Sequence, residues 1–365
     1  MYIVGPNAAG KSNFLDVFIF MRDIVKDGGG LQYAVNIREG LSKIRCLSGR
    51  EIPGIELEFS LSENGQNSLK WRYILGIKSE DWGKHRPKVI KEQVWKEDSC
   101  ILNRPNDDDE KDPEKLVETF LQYRGSNQSF REIYNHFDSC AYLNIIPQVF
   151  RFPDMFSKMN VRKAEDAFGF YFLERMMEVP EPTRKSRLKK IENVLQLAVP
   201  QLKALSDTKD VNGVPHLEAI YQHWRPRGAK QTEKQFSDGT IRLIGLLWMF
   251  LENNSLLLLE EPEISLHSEI VKRIPNLIFK IGKMKKEKQQ ILISTHSYDL
   301  LSDISIGGDS ILVLVPGNEG TTMFTATSKP EIKTLLESGM SPAEAVIPFT
   351  KPETFEKYIE MDLFE

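Results

Sequence analysis

The sequence predicts an α/β fold built around a parallel sheet, and three segments predict it. Residues Gly5 to Ser12 read GPNAAGKS. Residues 255–263 read SLLLLEEPE, and residues 290–297 read QILISTHS. Short apolar runs between polar boundaries are the mark of buried parallel strands. Open α/β sheets place ligands at the carboxyl ends of such strands, and in both runs that end carries titratable or hydroxyl side chains.

The first segment meets the pattern G-x-x-x-x-G-K-[ST] through Gly5, Gly10, Lys11 and Ser12. Its glycines let the backbone turn sharply and aim N–H groups at phosphate oxygens. Gly5, Asn7, Ala8, Ala9, Gly10, Lys11, Ser12 and Asn13 form the expected nucleotide-binding set, for ATP. Lys11 neutralises the outer phosphates and the Ser12 hydroxyl ligates Mg²⁺. A helix over Asn13 to about Val25 adds its positive N-terminal dipole, with Phe14, Leu15, Val17, Phe18 and Met21 as a core-facing stripe. Only Met1 to Val4 precede the loop, barely a strand.

With 365 residues, the chain has room for one large domain or two lobes. A net charge of -4 argues against a surface that is basic throughout. Cys46, Cys100 and Cys140 lie far apart without metal spacing, which fits inert thiols in a reducing cytoplasm. The sequence contains no apolar run of the roughly 18 residues that a membrane span needs, and no basic-then-apolar leader is evident. Cytoplasmic location is the expectation.

Strands are expected over 54–62, 69–78 and 88–97, where IELEFSL and WRYILGI alternate at period two. Asn64-Gly65 marks the first turn. Residues 106–112 (NDDDEKD) read as an acidic solvated loop. Segments 114–138 and 154–197 read as mostly helical, and TRKSRLKK (183–190) as a basic helix face. Residues 202–224 read as a hairpin around Asn212-Gly213. A helix from about Thr240 to Glu252 precedes strand 256–259, and a helix over 267–284 leads to strand 290–294. Strands 310–315 and 321–325 close the pattern. The tail 329–365 reads as helices around Ser341-Pro342, expected to pack on the head rather than dock a partner.

Strand 256–259 delivers Glu260 and Glu261 toward the phosphate loop. Glu260 is the expected metal ligand, direct or through water. Glu261 is expected to position or deprotonate the attacking water, since phosphoryl transfer is mainly positioning and electrostatics. His296, at the end of strand 290–294, is placed to hydrogen-bond phosphate or water. Residues 236–240 (FSDGT) open a helix. Ser237 or Asp238 can serve there as N-cap, and Ser237 with Gly239 can also bind phosphate.

Together these motifs resemble the ABC-type ATPase head of RecF-like, SMC-like and OLD-like proteins: a P-loop NTPase with an antiparallel β subdomain and a helical lobe. GPNAAGKS matches Walker A, FSDGT the ABC signature, LLLLEE Walker B and STHS the switch-histidine loop. The closest likeness is to OLD-related bacterial AAA ATPases, whose Walker B strand also ends in EEPE with a Leu-His pair after it, here Leu266-His267. The resemblance implies one ATPase head over 1–365: Walker A and antiparallel subdomain (1–100), helical lobe with the hairpin (114–239), Walker B and switch core (240–325) and a helical tail (326–365). It also implies a head-to-tail homodimer sandwiching two ATP molecules. Ser237 and Gly239 of one subunit would meet the γ-phosphate held by Lys11 of the other, and Glu263 to His267 would line the seam.

Two departures stand out. Walker B carries Glu260 where many ABC heads have Asp. No strand pair precedes Walker A, which suggests a truncated or replaced start. For the Q-loop glutamine the choice is Gln148, with Gln32 and Gln93 as alternatives.

Among functions, the resemblance favours an ATP-hydrolysing dimer that regulates a separate effector protein in bacterial phage defence. The alternative is a DNA-binding repair ATPase of RecF or SMC type, for which the basic clusters 224–230 and 283–288 speak. A nuclease would need a C-terminal domain for which the stretch after Ser297 is too short. A transporter ATPase would need a membrane partner.

Overall fold

The computed structural model describes residues 1–45, 54–62, 69–80, 85–156, 166–224, 228–252, 256–285 and 289–350. The chain opens with β1 (Tyr2–Val4), buried throughout, and turns through the glycine loop into α1 (Lys11–Val25). Short helices α2 (Leu31–Asn36) and α3 (Leu41–Ile44) follow. Next comes an antiparallel sheet of β2 (Gly54–Ser62), β3 (Leu69–Ser79), β4 (Pro87–Lys96) and β5 (Ser99–Arg104). Three of these strands fall where period-two alternation places them. The Asn64-Gly65 turn lies outside the described residues.

Residues 106–112 depart from expectation. They form α4 (Asp107–Lys111), started by a capping box in which Asn106 and Asp109 satisfy each other's backbone N–H groups. Asp109 is buried rather than solvated. Segment 114–138 is also less helical than its pattern suggests. Only a 3₁₀ turn (Pro113–Val117), a second one (Gln128–Phe130) and α5 (Arg131–Asp138) are helical. The stretch between stays open because Glu92 accepts hydrogen bonds from the N–H groups of Phe120 and Leu121. This segment was expected in the helical lobe. Instead Leu121, Phe130, Ile133, Tyr134 and Phe137 pack with α1, α2, β3 and β4.

Then come β6 (Cys140–Leu143), α6 (Pro147–Arg151), α7 (Phe172–Glu178) and α8 (Glu181–Ala198). On α8 the basic run is mostly exposed, but Arg184 is buried and pairs with Asp207 at 3.0 Å. A three-stranded sheet holds β7 (Leu202–Lys209), β8 (Pro215–Tyr221) and β9 (Ala229–Thr232). Helix α9 (Asp238–Leu251) joins this lobe to the central sheet. After β10 (Leu256–Glu260), the expected long helix is broken into α10 (Ser268–Val271) and α11 (Ile274–Met284). Pro275, in the first turn of α11, removes an N–H and restricts the residue before it, so the helix restarts there. The remaining elements are β11 (Gln290–Ser294), β12 (Ile311–Gly317), β13 (Gly320–Thr325), α12 (Pro330–Glu337) and α13 (Pro342–Val346).

The central sheet runs β13-β12-β1-β11-β10-β6, parallel except for β13. Its alternation sorts the leucines of β10. Leu256 and Leu258 join Ile3, Leu15 and Leu292 on the α1 side, while Leu257 and Leu259 face α9, α10 and the C-terminal helices. Each buried leucine contributes about 1.5–3 kcal/mol, and a one-residue slip would exchange the two sets between cores. Parallel register brings the carboxyl ends of β1, β11, β10 and β6 to one edge. Through Val346 the tail packs on the head, with Ile332, Ala343, Ala345 and Val346 in its core.

Candidate nucleotide site

The loop after β1 is shaped by steric need. A side chain at Gly5 would bring its Cβ within 2.7 Å of the Leu314 carbonyl oxygen. Gly10 sits at φ 90°, where glycine carries no Cβ penalty. The loop is pinned from outside by Thr321 of β13, whose hydroxyl donates to the Ala9 carbonyl at 3.0 Å. Helix α1 begins at Lys11 without a side-chain cap, so its first N–H groups remain suited to an anion. Asn7, Ala8 and Asn13 are exposed around it. Lys11 is buried and its ammonium donates to the carbonyls of Gly5 (3.1 Å) and Pro6 (3.0 Å). Burial lowers its pKa, against the opposing pull of Glu261 and Glu260.

Glu260 lies on the same face of β10 as Leu256 and Leu258, which directs it at α1. Ser12 Oγ donates to its Oε1 and the Tyr142 hydroxyl donates to its Oε2. The donors here are all oxygens, the kind Mg²⁺ prefers, so Ser12 and Glu260 fit a magnesium ion. Glu261 leaves the strand alternation at φ 42°, its N–H held by the Ser294 carbonyl at 3.0 Å. That conformation is costly for a residue with a Cβ. It sends the carboxylate toward β11, where Oε1 lies 3.5 Å from His296 Nε2. Burial and the Lys11 charge lower the His296 pKa, with Glu261 opposing. Lys11, Ser12, Glu260, Glu261 and His296 are thus drawn together at one sheet edge.

Ser237 opens α9. It is exposed, and its hydroxyl caps α9 by accepting from the Thr240 N–H at 3.2 Å. A Cβ on Gly239 would meet the Ser265 carbonyl oxygen at 2.6 Å, so this helix start sits tightly on the loop after Walker B.

Several residues of the site were not anticipated. Arg151 of α6 donates to the Phe236 carbonyl and pairs with Asp238 at 2.5 Å, clamping the start of α9. Arg242 of α9 feels the charges of Asp238 and Glu261, though burial dominates and lowers its pKa. Glu263 was expected at the dimer seam, yet its Oε1 turns inward to accept from Thr295 Oγ1 at 2.5 Å. Burial pushes its pKa up. Ile264, Ser265 and His267 remain exposed.

The three Q-loop candidates lie on different elements. Gln148 is exposed on α6, Gln32 spans the carbonyls of Pro87 and Val117, and Gln93 pairs with Asn103 in the antiparallel sheet. The polar residue just past the carboxyl end of β6 is Asn144.

A family profile described as "AAA domain, putative AbiEii toxin, Type IV TA system" matches residues 1–303. The chain belongs to that AAA family. It is a P-loop ATPase of the AAA type. Solved structures similar to this AAA domain include the SMC head domain from Thermotoga maritima, at 13% identity over 89% of each chain and TM-score 0.43. Another is the Smc head domain with an extended coiled coil from Pyrococcus furiosus, solved bound to the C-terminal domain of ScpA. It is 13% identical, covers 93% of this chain and 92% of that one, and has TM-score 0.41. An ATP-binding cassette of an ABC transporter in its ADP conformation gives 12% identity over 99% and 87%, with TM-score 0.38. No curated protein matches the AAA domain. Among its described residues, no helix is long and apolar enough to cross a membrane.

Proposed function

We propose that this AAA domain hydrolyses ATP as a homodimer closed around the nucleotide, and that the closure regulates a separate effector protein in phage defence. The observation that carries the reading is the division of the motifs. Five residues of the site converge at one sheet edge, while Ser237 is exposed at the start of α9 and capped within its own helix. That exposure supports the reading, implied by the resemblance, in which Ser237 and Gly239 contact the γ-phosphate held by a second copy. The effector role is supported by the likeness to OLD-related heads and by the toxin–antitoxin description of the family.

Lys11, freed from its loop carbonyls, neutralises the outer phosphates. Ser12 and Glu260 hold Mg²⁺, which would spread the charge of the phosphates. Glu261 takes or directs a proton of the attacking water. His296, whose pKa burial and the Lys11 charge lower, donates a hydrogen bond to the γ-phosphate.

Lys11→Ala is expected to weaken ATP binding by roughly tenfold to a hundredfold, the 1.5–3 kcal/mol of hydrogen bonds to a charged group. Calorimetric titration with ATP checks this, and unchanged affinity would remove the Walker A role. Ser237→Arg should leave ATP affinity within about twofold while abolishing the ATP-dependent dimer seen by light scattering. Turnover should drop at least about tenfold, the scale of one lost charge-assisted contact. A variant that dimerises and turns over normally would argue against a signature acting across subunits.

A further inference from the structure

We propose that Tyr142 is a positioning residue for the metal ligand Glu260. The inference rests on the reading that Ser12 and Glu260 hold Mg²⁺.

Tyr142 lies on β6, directly opposite Leu258 in the parallel pairing with β10. Its ring packs beside the cluster of Ile3, Leu15, Leu258 and Leu292, on the face that also carries Glu260. Its hydroxyl donates to Glu260 Oε2, leaving Oε1 to Ser12. A line Tyr142–Glu260–Ser12 therefore crosses β6, β10 and α1.

This arrangement answers a problem set by the sequence. Glutamate at this position has one more rotatable bond than aspartate, and each free rotor must be frozen before the carboxylate can serve as a ligand. A donor on a rigid neighbouring strand freezes it, as outer hydrogen bonds do for ligating carboxylates generally. Tyr142 binds the oxygen that Ser12 does not, so it fixes the carboxylate without competing for the ligand position.

The test uses the full chain and reads binding rather than turnover. Fluorescently labelled ATP is titrated in EDTA and across a Mg²⁺ series. Tyr142→Phe removes only the hydroxyl from a largely buried ring. It should raise the Mg²⁺ concentration for half-maximal tightening by about tenfold, with affinity in EDTA within about twofold of the parent. Glu260→Gln should raise it at least as much. In the Glu260→Asp background, whose shorter arm does not reach the phenol, Tyr142→Phe should add less than about twofold. If Glu260→Gln shifts the Mg²⁺ dependence and Tyr142→Phe does not, the Tyr142 role is overturned and the metal reading stands. If neither shifts it, the metal reading itself fails and takes the inference with it. Equal effects of Tyr142→Phe in the parent and in the Glu260→Asp background, or a loss already present in EDTA, would also overturn the role.

Discussion

Glu261→Gln is expected to lower ATP turnover by about 10²–10⁴-fold, the contribution of a positioned general base, while ATP still binds. The substitution keeps size and hydrogen-bonding reach but cannot accept a proton. Its backbone, at φ 42° with the N–H bonded to the Ser294 carbonyl, keeps that bond in the variant. Lys11, Ser12 and Glu260 remain as they were, so binding survives. With hydrolysis blocked, the ATP-bound dimer should accumulate and elute early in gel filtration with ATP, returning to monomer without it. Turnover within about fivefold of the parent would mean that Glu261 is not the base. The strained backbone at Glu261 gives a reason for its aim: a residue continuing the alternation of β10 would face the core beside Leu257 and Leu259, away from His296.

What the sequence made legible were the strands that end in chemistry. LLLLE and QILIS are short apolar runs between polar boundaries, the length of a strand rather than of a helix, and as parallel strands they bring their polar ends to one edge. What it hid depended on partners far away in the chain. The stretch from 118 to 127 looks helical until Glu92 is seen to take two of its N–H groups. Tyr142 sits in a four-residue strand whose alternation is too short to announce a face, and only pairing with β10 brings its hydroxyl to Glu260. The resemblance puts Glu263 at a dimer seam and gives no sign of its bond to Thr295, which the turn after Glu261 makes possible. The acidic run 106–112 was read by charge alone, and charge gave no sign that Asp109 had a buried arginine waiting.

That arginine carries the largest stability prediction. Arg104→Ala should destabilise the antiparallel subdomain by about 3–5 kcal/mol, the cost of breaking a buried ion pair from one side. The Arg104 side chain is 0% exposed and lies between Glu92, at 2.8 Å, and Asp109, at 2.7 Å. Its N–H groups also reach the carbonyls of Glu118 (3.2 Å) and Lys115 (3.0 Å), and its guanidinium stacks 3.9 Å over the Phe120 ring. Removing it strands two carboxylates in the interior of the subdomain, and Glu92 is also the acceptor that shapes residues 120 and 121. Lysine is no substitute, because one ammonium cannot span the fork that a guanidinium fills. The readout is amide exchange in β3 and β4, where 3–5 kcal/mol corresponds to roughly 10²–10³·⁵-fold faster exchange if opening is local. Acid should act in the same direction. Burial alone would raise the Asp109 pKa, but the Arg104 hydrogen bonds and the Asn106 N–H outweigh it and hold it below the usual carboxylate range. A depressed folded-state pKa gives stability that is present above the unfolded value and lost as pH falls through the folded one. The parent should therefore loosen below about pH 4, and Arg104→Ala should lose most of that acid sensitivity at Asp109. Exchange in β3 and β4 unchanged in the variant would mean that the four-stranded sheet stands without this pair, and that Glu92 is held by Tyr73 and the backbone of Phe120 and Leu121 alone.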